Sequence, residues 1–191
     1  MVKILQECTD ASIVLAGDSN QAINGFMGSV DPIGNRDSYF PGAKMLPLSQ
    51  TWRYHNQIAD VFNAITAERC IGRPERPSTA TVGETIVLCA TNKEVDAAVK
   101  QLQNLKINAY KRGTTGEGVQ VSTVHKAKGG GWHTVVVMRL RRNSVKVAAT
   151  AVSRARERLY LHYSLMKEYN LRTSSHVRRF GDLRELLPVL R

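Results

Sequence analysis

Four stretches of this chain carry side chains able to act on an anionic ligand. The first runs Gly17-Asp18-Ser19-Asn20-Gln21-Ala22-Ile23-Asn24-Gly25-Phe26-Met27-Gly28. The Gln21 amide can bind a phosphate oxygen or hold an attacking water. The Phe26 ring offers a flat face to a base. A plain surface turn has the same composition. The second, Leu48-Ser49-Gln50-Thr51-Trp52-Arg53-Tyr54, sets Arg53 between two aromatic residues. Such an arginine is either a packed, stacked side chain or a rigid guanidinium aimed at a phosphate. The third, Val119-Gln120-Val121-Ser122-Thr123-Val124-His125-Lys126-Ala127-Lys128-Gly129-Gly130-Gly131-Trp132, is a strand pattern ending in a basic, glycine-rich turn. Backbone N–H groups of such a turn, with Lys126 or Lys128, can cradle phosphates. A solvated connection is the alternative. His125 has no second His or Cys at ligand spacing, so no metal site is expected. The fourth, Ala148-Ala149-Thr150-Ala151-Val152-Ser153-Arg154-Ala155-Arg156-Glu157-Arg158-Leu159, is a run of small residues that ends in arginines. Small residues let a helix lie close to a sheet. Arg154 would then stand where a phosphate can arrive, unless the arginines only solubilise the surface.

The elements that must position these groups follow from periodicity. Ser12–Ala16 reads as a short buried strand meeting the Gly17 loop. Residues 28–47, rich in Gly and Pro, mark a boundary between structural units. In Asn56–Glu68 the apolar residues Ile58, Val61, Phe62 and Ile65 define an amphipathic helix. Residues 70–84 read as a loop. Thr85–Ala90 is a strand, and Thr91-Asn92-Lys93-Glu94 fits a capping box. A helix over Lys93–Leu105 then places Val95, Ala98, Val99 and Leu102 on one face. Ile107–Lys111 returns as a strand. Val119–Val124, His133–Met138 and Leu159–Tyr163 supply further strands, with a helix expected over Ser144–Glu157. Leu183, Leu186 and Leu187 suggest a short helix cut by Pro188. Alternating strands and helices imply a doubly wound parallel α/β sheet. In such sheets ligands sit at the carboxyl ends of the strands, which singles out the loops Gly17–Gly28 and Gly118–Trp132 and the Arg154 region.

Composition narrows the class. At 191 residues, with 42% apolar and 23% charged residues, the chain is globular rather than disordered. Cys8, Cys70 and Cys89 form no CxxC pair, so zinc-ribbon and disulfide-scaffold readings are disfavoured. No stretch has the length of a membrane span and the N-terminus does not read as a signal peptide, so an intracellular location, in cytoplasm or nucleus, is expected with no membrane partner. The net charge of +11 is uneven. Residues 1–138 hold 14 basic and 12 acidic groups, whereas residues 139–191 hold 13 and 4. A folded basic face attracts polyanions through counterion release; a solvated surface is the plain alternative.

Each motif is weak alone, but their order is informative. GDSNQAINGFMG, LSQTWRYHNQIADVF, VSTVHKAKGGGW and ATAVSRARERLYL resemble, in sequence and spacing, motifs of superfamily 1 helicases of the UvrD/Rep type, including the F-box DNA helicases. The resemblance covers about residues 13–163. It implies a RecA-like doubly wound parallel sheet with helices on both faces. It implies that Gln21 senses the γ-phosphate of ATP and that Arg53 and Arg154 contact the same phosphate, stabilising charge during its transfer. Lys128 and Gly129 match the family's A-K-G turn on the nucleotide side. Thr123 and His125 look like the element that couples nucleotide state to single-stranded DNA, and Phe26 matches an aromatic that stacks on a base.

The departures are equally specific. Asn24 replaces a family tyrosine, Met27 an arginine, and Gly130-Gly131 a Leu-Glu pair whose acid touches the ribose. No G-x-x-x-x-G-K-[ST] P-loop and no D-E-x-x-Q magnesium site exist in the sequence. ATP and Mg are therefore expected only with a separate P-loop-containing helicase domain. The implied organisation is 1–45, a remnant of a first RecA-like domain (terminal strand and loop), and 46–191, a second RecA-like domain without the large insertion. The expected role is the C-terminal motor half of a DNA helicase, not an autonomous ATPase, so whether the chain counts as an enzyme stays open. The alternatives are a non-catalytic nucleic-acid-binding protein derived from a helicase fold, or a truncated inactive gene product.

Overall fold

The structure, a computed structural model, describes residues 12–25, 28–74, 84–140 and 144–190. Chain order begins with a 3-10 turn (Ser19–Gln21) and α1 (Arg36–Tyr39). A small parallel pair follows, β1 (Gln50–His55) and β2 (Ile71–Arg73), joined through α2 (Asn56–Thr66). The remaining elements are β3 (Thr85–Cys89), α3 (Asn92–Asn104), β4 (Ala109–Lys111), β5 (Val119–Thr123) and β6 (Trp132–Val137). They continue with α4 (Val145–Val152), β7 (Ala155–His162), α5 (Tyr163–Glu168) and β8 (Val177–Phe180). A 3-10 turn over Leu183–Leu186 leads into α6 (Leu187–Leu190).

The main sheet has the order β4-β5-β3-β6-β7-β8, and every pair in it is parallel. Its central strands are Val/Ile/Leu-rich because both faces are covered. Ile86 and Leu88 turn to one core, shared with α2, α4 and α5. Val87 and Cys89 turn to the other, shared with α3 and the C-terminal helical turns. This is the expected parallel α/β sheet with helices on both faces, consistent with a RecA-like fold. β3 and β4 flank β5 rather than each other, so the unit they form with α3 skips one strand.

The Thr91 capping box is present. Thr91 Oγ1 accepts from Glu94 N at 3.3 Å, and Glu94 Oε2 accepts from Thr91 N at 2.9 Å. Thr91→Ala removes one arm and is expected to cost about 1 kcal/mol, read as a lower urea midpoint at unchanged slope. Val95, Ala98, Val99 and Leu102 are buried, as their spacing demands. Helix α2 ends where Ala67 turns left-handed at φ 58. Pro188 lies in the first turn of α6, where its missing N–H costs no helix bond, so it starts a turn rather than cutting one.

Three expectations need correction. Ser12–Ala16 is not a strand: it is exposed, with Val14 at 90%, and pairs with no strand among the described residues. A strand needs a neighbour for its backbone groups, and apolar content alone does not supply one. The helix expected to run to Glu157 stops at Val152, and Ala155 already belongs to β7. Burial along β7 alternates with period two, with Ala155, Glu157, Leu159 and Leu161 inside and Arg156 and Arg158 outside. The 70–84 loop contains β2, which pairs with β1; β8 and α5 went unanticipated.

Candidate functional site

Arg154 is the centre of a polar cluster. It follows the C-terminal end of α4, which rests on the sheet through Ala148, Ala149, Ala151 and Val152. Its guanidinium is 1% exposed yet makes no ion pair among the described residues. Backbone carbonyls and side-chain oxygens compensate it instead. Nε donates to Thr150 O at 3.1 Å and Nη1 to Gly130 O at 3.1 Å. Nη2 donates to Gln21 Oε1 at 2.8 Å and to Ser153 Oγ at 2.9 Å. The Thr150 carbonyl belongs to the last turn of α4, where the helix dipole favours a cation. Burial, and then the nearby charge of Arg53, push the Arg154 pKa down to about 10, with Asp18 and Tyr54 opposing.

The other two members arrive from distant parts of the chain. Arg53 lies on β1, exposed, and its Nη1 donates to Ser153 O at 3.3 Å across a separation of 100 residues. Gln21 ends the first 3-10 turn. Asp18 accepts from Asn20 N at 2.8 Å and from Gln21 Nε2 at 2.7 Å. Thr150 Oγ1 donates to Asn20 O at 3.3 Å, and Ile23 anchors the segment in the core of α2 and α4. Asp31 fixes the far side of this loop, accepting from Ser19 Oγ at 3.2 Å, Gly34 N at 2.9 Å and Lys146 Nζ at 3.0 Å. Gln21, Arg53 and Arg154 are thus brought together around Ser153.

The edge on which they meet differs from the expectation. Arg154 immediately precedes β7, and its carbonyl accepts from Trp132 N, the first residue of β6, at 2.9 Å. The cluster therefore lies at the amino ends of the strands, not the carboxyl ends. The reason is topological: α4 returns the chain to the start of β7, so any residue between them must sit there.

Thr123 ends β5 on the opposite edge, roughly 13 Å away along a five-residue strand. It lines a cavity of about 210 Å³ with Asn92, Asp96, Lys111, Arg112 and Lys126. Sequence reading did not single out Lys111 and Arg112; their position on the strand that returns from α3 was the available signal. His125, Lys128 and Gly129 lie on the turn between the two edges. His125 is half-buried, and Lys128 and Gly129 are exposed just before the Gly130 carbonyl that Arg154 holds. Gly129 has φ +87, a left-handed conformation suited to glycine. Phe26 and Met27 lie outside the described residues.

Gly130 is required by contact rather than by conformation. A Cβ there would meet the Trp132 ring at 2.3 Å. Trp132 cannot swing aside easily: its Nε1 donates to Gln120 Oε1 at 3.3 Å and Arg112 lies over its ring at 4.9 Å. Gly130→Ala is expected to cost about 1–3 kcal/mol through overpacking, with a shifted tryptophan emission as the structural check.

A second buried cluster ties β1 and β2 to the main sheet. Glu157 accepts from Arg73 Nη2, and its Oε2 lies 2.7 Å from His55 Nε2. His176 Nδ1 lies 2.9 Å from Glu157 O, and its ring stacks on His55 at 4.4 Å. His55, Glu157 and His176 bring ligand atoms within 4.8 Å of one another, a metal-like grouping. The Arg73 guanidinium already supplies the positive charge beside the carboxylate, so the cluster reads as an ion-pair lock. It holds β1, and with it Arg53, against the strand that follows Arg154.

Fold and site together define a parallel α/β domain that carries a rigid guanidinium–amide cluster on one sheet edge and a basic cavity on the other. No protein-family model matches the chain, and no curated protein matches it. Among solved structures it is similar to the C-terminal domain of a possible DNA helicase from Lactobacillus plantarum. That match has 16% identity and a TM-score of 0.48, covering 68% of this chain and 98% of the other. Among the described residues no helix is long and apolar enough to cross a membrane.

Proposed function

We propose that this chain is the C-terminal motor half of a superfamily 1 DNA helicase of the UvrD/Rep type. In this reading Gln21, Arg53 and Arg154 face the γ-phosphate of an ATP gripped by a P-loop domain lying outside this sequence. The observation that carries it is the convergence of those three residues, with Arg154 hydrogen-bonded to Gln21 across 133 positions. Phosphoryl transfer spreads negative charge over equatorial oxygens, and fixed cationic donors lower the energy of that state. Arg154 is held in place by the Thr150 and Gly130 carbonyls, so little reorganisation is needed. Two neighbouring guanidiniums repel one another, and an arriving polyphosphate relieves both. Lys128 and Gly129 stand on the turn that leads to this edge.

The residues fit the terminal oxygens of a nucleotide rather than a metal ion. Asp18 is the carboxylate beside the cluster, and it is engaged with Asn20 and Gln21. Magnesium therefore belongs to the P-loop partner. In this reading single-stranded DNA runs along the carboxyl edge, where Thr123 opens onto the basic cavity and His125 follows; Phe26, outside the described residues, is the stacking residue that the motif implies.

The test mixes the chain with P-loop domains of this superfamily and measures DNA-stimulated ATP hydrolysis. Stimulation is expected, with a loss of at least about 100-fold in Arg53→Ala. No stimulation, or stimulation indifferent to that substitution, rejects the reading. The chain alone is expected not to hydrolyse ATP.

One observation favours a second reading, a non-catalytic nucleic-acid-binding module. Arg154 already spends its donors on Thr150, Gly130, Gln21 and Ser153, as a purely structural arginine would. Salt-sensitive single-strand binding without any stimulation in the mixture would select it.

A further inference from the structure

We propose that the sheet face opposite the Arg154 pocket carries a second polyanion site, a stripe of Arg156, Arg158 and Arg178 that binds the sugar–phosphate backbone of nucleic acid without reading its sequence. The proposal rests on the nucleic-acid part of the reading above and is independent of the chemistry at Arg154.

Strand geometry sets the stripe. On β7, Glu157, Leu159 and Leu161 turn inward, so Arg156 and Arg158 project from the other side, both exposed. Tyr160, on that same side, packs against the core beneath α3 and the C-terminal turns. The β7–β8 register pairs Tyr160 with Arg178, which brings exposed Arg178 to this face as well. Residues two apart on a strand are about 6.6 Å apart, and neighbouring strands lie about 4.8 Å apart. The three arginines therefore leave the backbone within one patch of this face, with the Arg156 side chain reaching towards Gly131.

Among the described residues nothing neutralises them. Among the described residues, Arg156, Arg158 and Arg178 make no salt bridge. The nearest acids are occupied or distant. Glu157 points to the opposite face, bound to His55 and Arg73. Asp182 pairs with Arg184, and Glu185 accepts from Gly181 N and Asp182 N. Glu84 stands before β3, two strands away from β7. Half-buried His133 lies within reach of both signs of charge. Burial lowers its pKa, Glu157 opposes, and Arg158 lowers it further. Like charges side by side on a sheet destabilise it. A polyanion removes that repulsion and releases its own counterions. Planar guanidiniums suit phosphate oxygens, and phosphate contacts carry no sequence information of their own.

The experiment measures fluorescence anisotropy of a labelled mixed-sequence oligonucleotide, single-stranded and as its duplex, across a salt series. The wild-type chain is compared with R156Q/R158Q/R178Q and with K111Q/K126Q at the carboxyl-edge cavity. All five positions are on the surface or its cavity, and thermal unfolding confirms that each variant folds. The arginine triple is expected to weaken binding at least about tenfold near physiological salt. Its log–log salt slope should flatten by roughly 2 for a single strand or roughly 3 for a duplex, as three lost phosphate contacts require. An unchanged slope in the triple, or a loss confined to K111Q/K126Q, overturns the stripe while leaving the cavity reading intact. Absence of binding by the wild-type chain to either probe overturns the stripe and the cavity together, and leaves the ATPase test with the P-loop partner standing.

Discussion

On the motor role proposed above, Arg154→Met is expected to cut DNA-stimulated ATP hydrolysis, in the mixture with a P-loop domain, by about 1,000-fold or more, while changing folding stability by less than about 2 kcal/mol. The two halves of this result have different causes. In that role activity falls because a cation placed in trans on the γ-phosphate would be worth several orders of magnitude in phosphoryl transfer. Stability hardly moves because two effects oppose. The guanidinium, buried and beside Arg53, has a pKa lowered to about 10, a penalty on its charged form of on the order of 3 kcal/mol. Methionine removes that penalty and fills a similar volume. Against this, Gly130 O and Gln21 Oε1 lose a donor, at about 1–3 kcal/mol for each that stays dry. Thr150 O keeps the Ser153 hydroxyl. Urea titration gives the stability and a coupled-enzyme assay the rate. A destabilisation beyond about 4 kcal/mol would mean that Arg154 is a structural clamp, and unchanged hydrolysis would remove it from the nucleotide site.

Glu157→Ala should behave in the opposite way, with a large loss of stability of about 3–5 kcal/mol. For a domain of this size that is a fall in Tm of about 10 °C. Among the described residues the carboxylate is the only acid in the cluster it shares with His55, Arg73 and His176. Its removal strands the Arg73 guanidinium and His55 Nε2, where His55 Nδ1 and Arg73 Nε already have no partner among the described residues. Replacing the carboxylate together with Arg73, as E157L/R73M, removes the charge and its counter-charge and should recover most of the loss. Scanning calorimetry of the single and double variants checks both statements. A mild effect of Glu157→Ala would show that water reaches the cluster. The same variant should also weaken any Arg53-dependent activity, because the cluster anchors β1.

Much of the scaffold was legible because its signals are local. Thr91 and Glu94 announce the start of α3 three residues apart, and the face Val95, Ala98, Val99 and Leu102 follows from helical geometry alone. The alternation from Ala155 to Leu161 was equally present. The run of small residues before it extends the helix pattern over it, and Ser153–Arg154 gives no strong stop signal. β2 and β8 are short, and their evidence is the partner strand rather than their own residues.

The order of Gln21, Arg53, Thr123 and Arg154 along the chain is a property of the sequence, and it suffices to raise the helicase resemblance. It does not say which of them meet. Folding brought the first two and the last to the amino edge and sent Thr123 to the far end of β5, because a parallel crossover returns the chain to the start of the next strand. The Glu157 lock and the arginine stripe likewise came from strand register and from encounters across some 20 to 100 positions. Periodicity reports which way a side chain points within its own element; only the packing of elements against one another decides what it finds there.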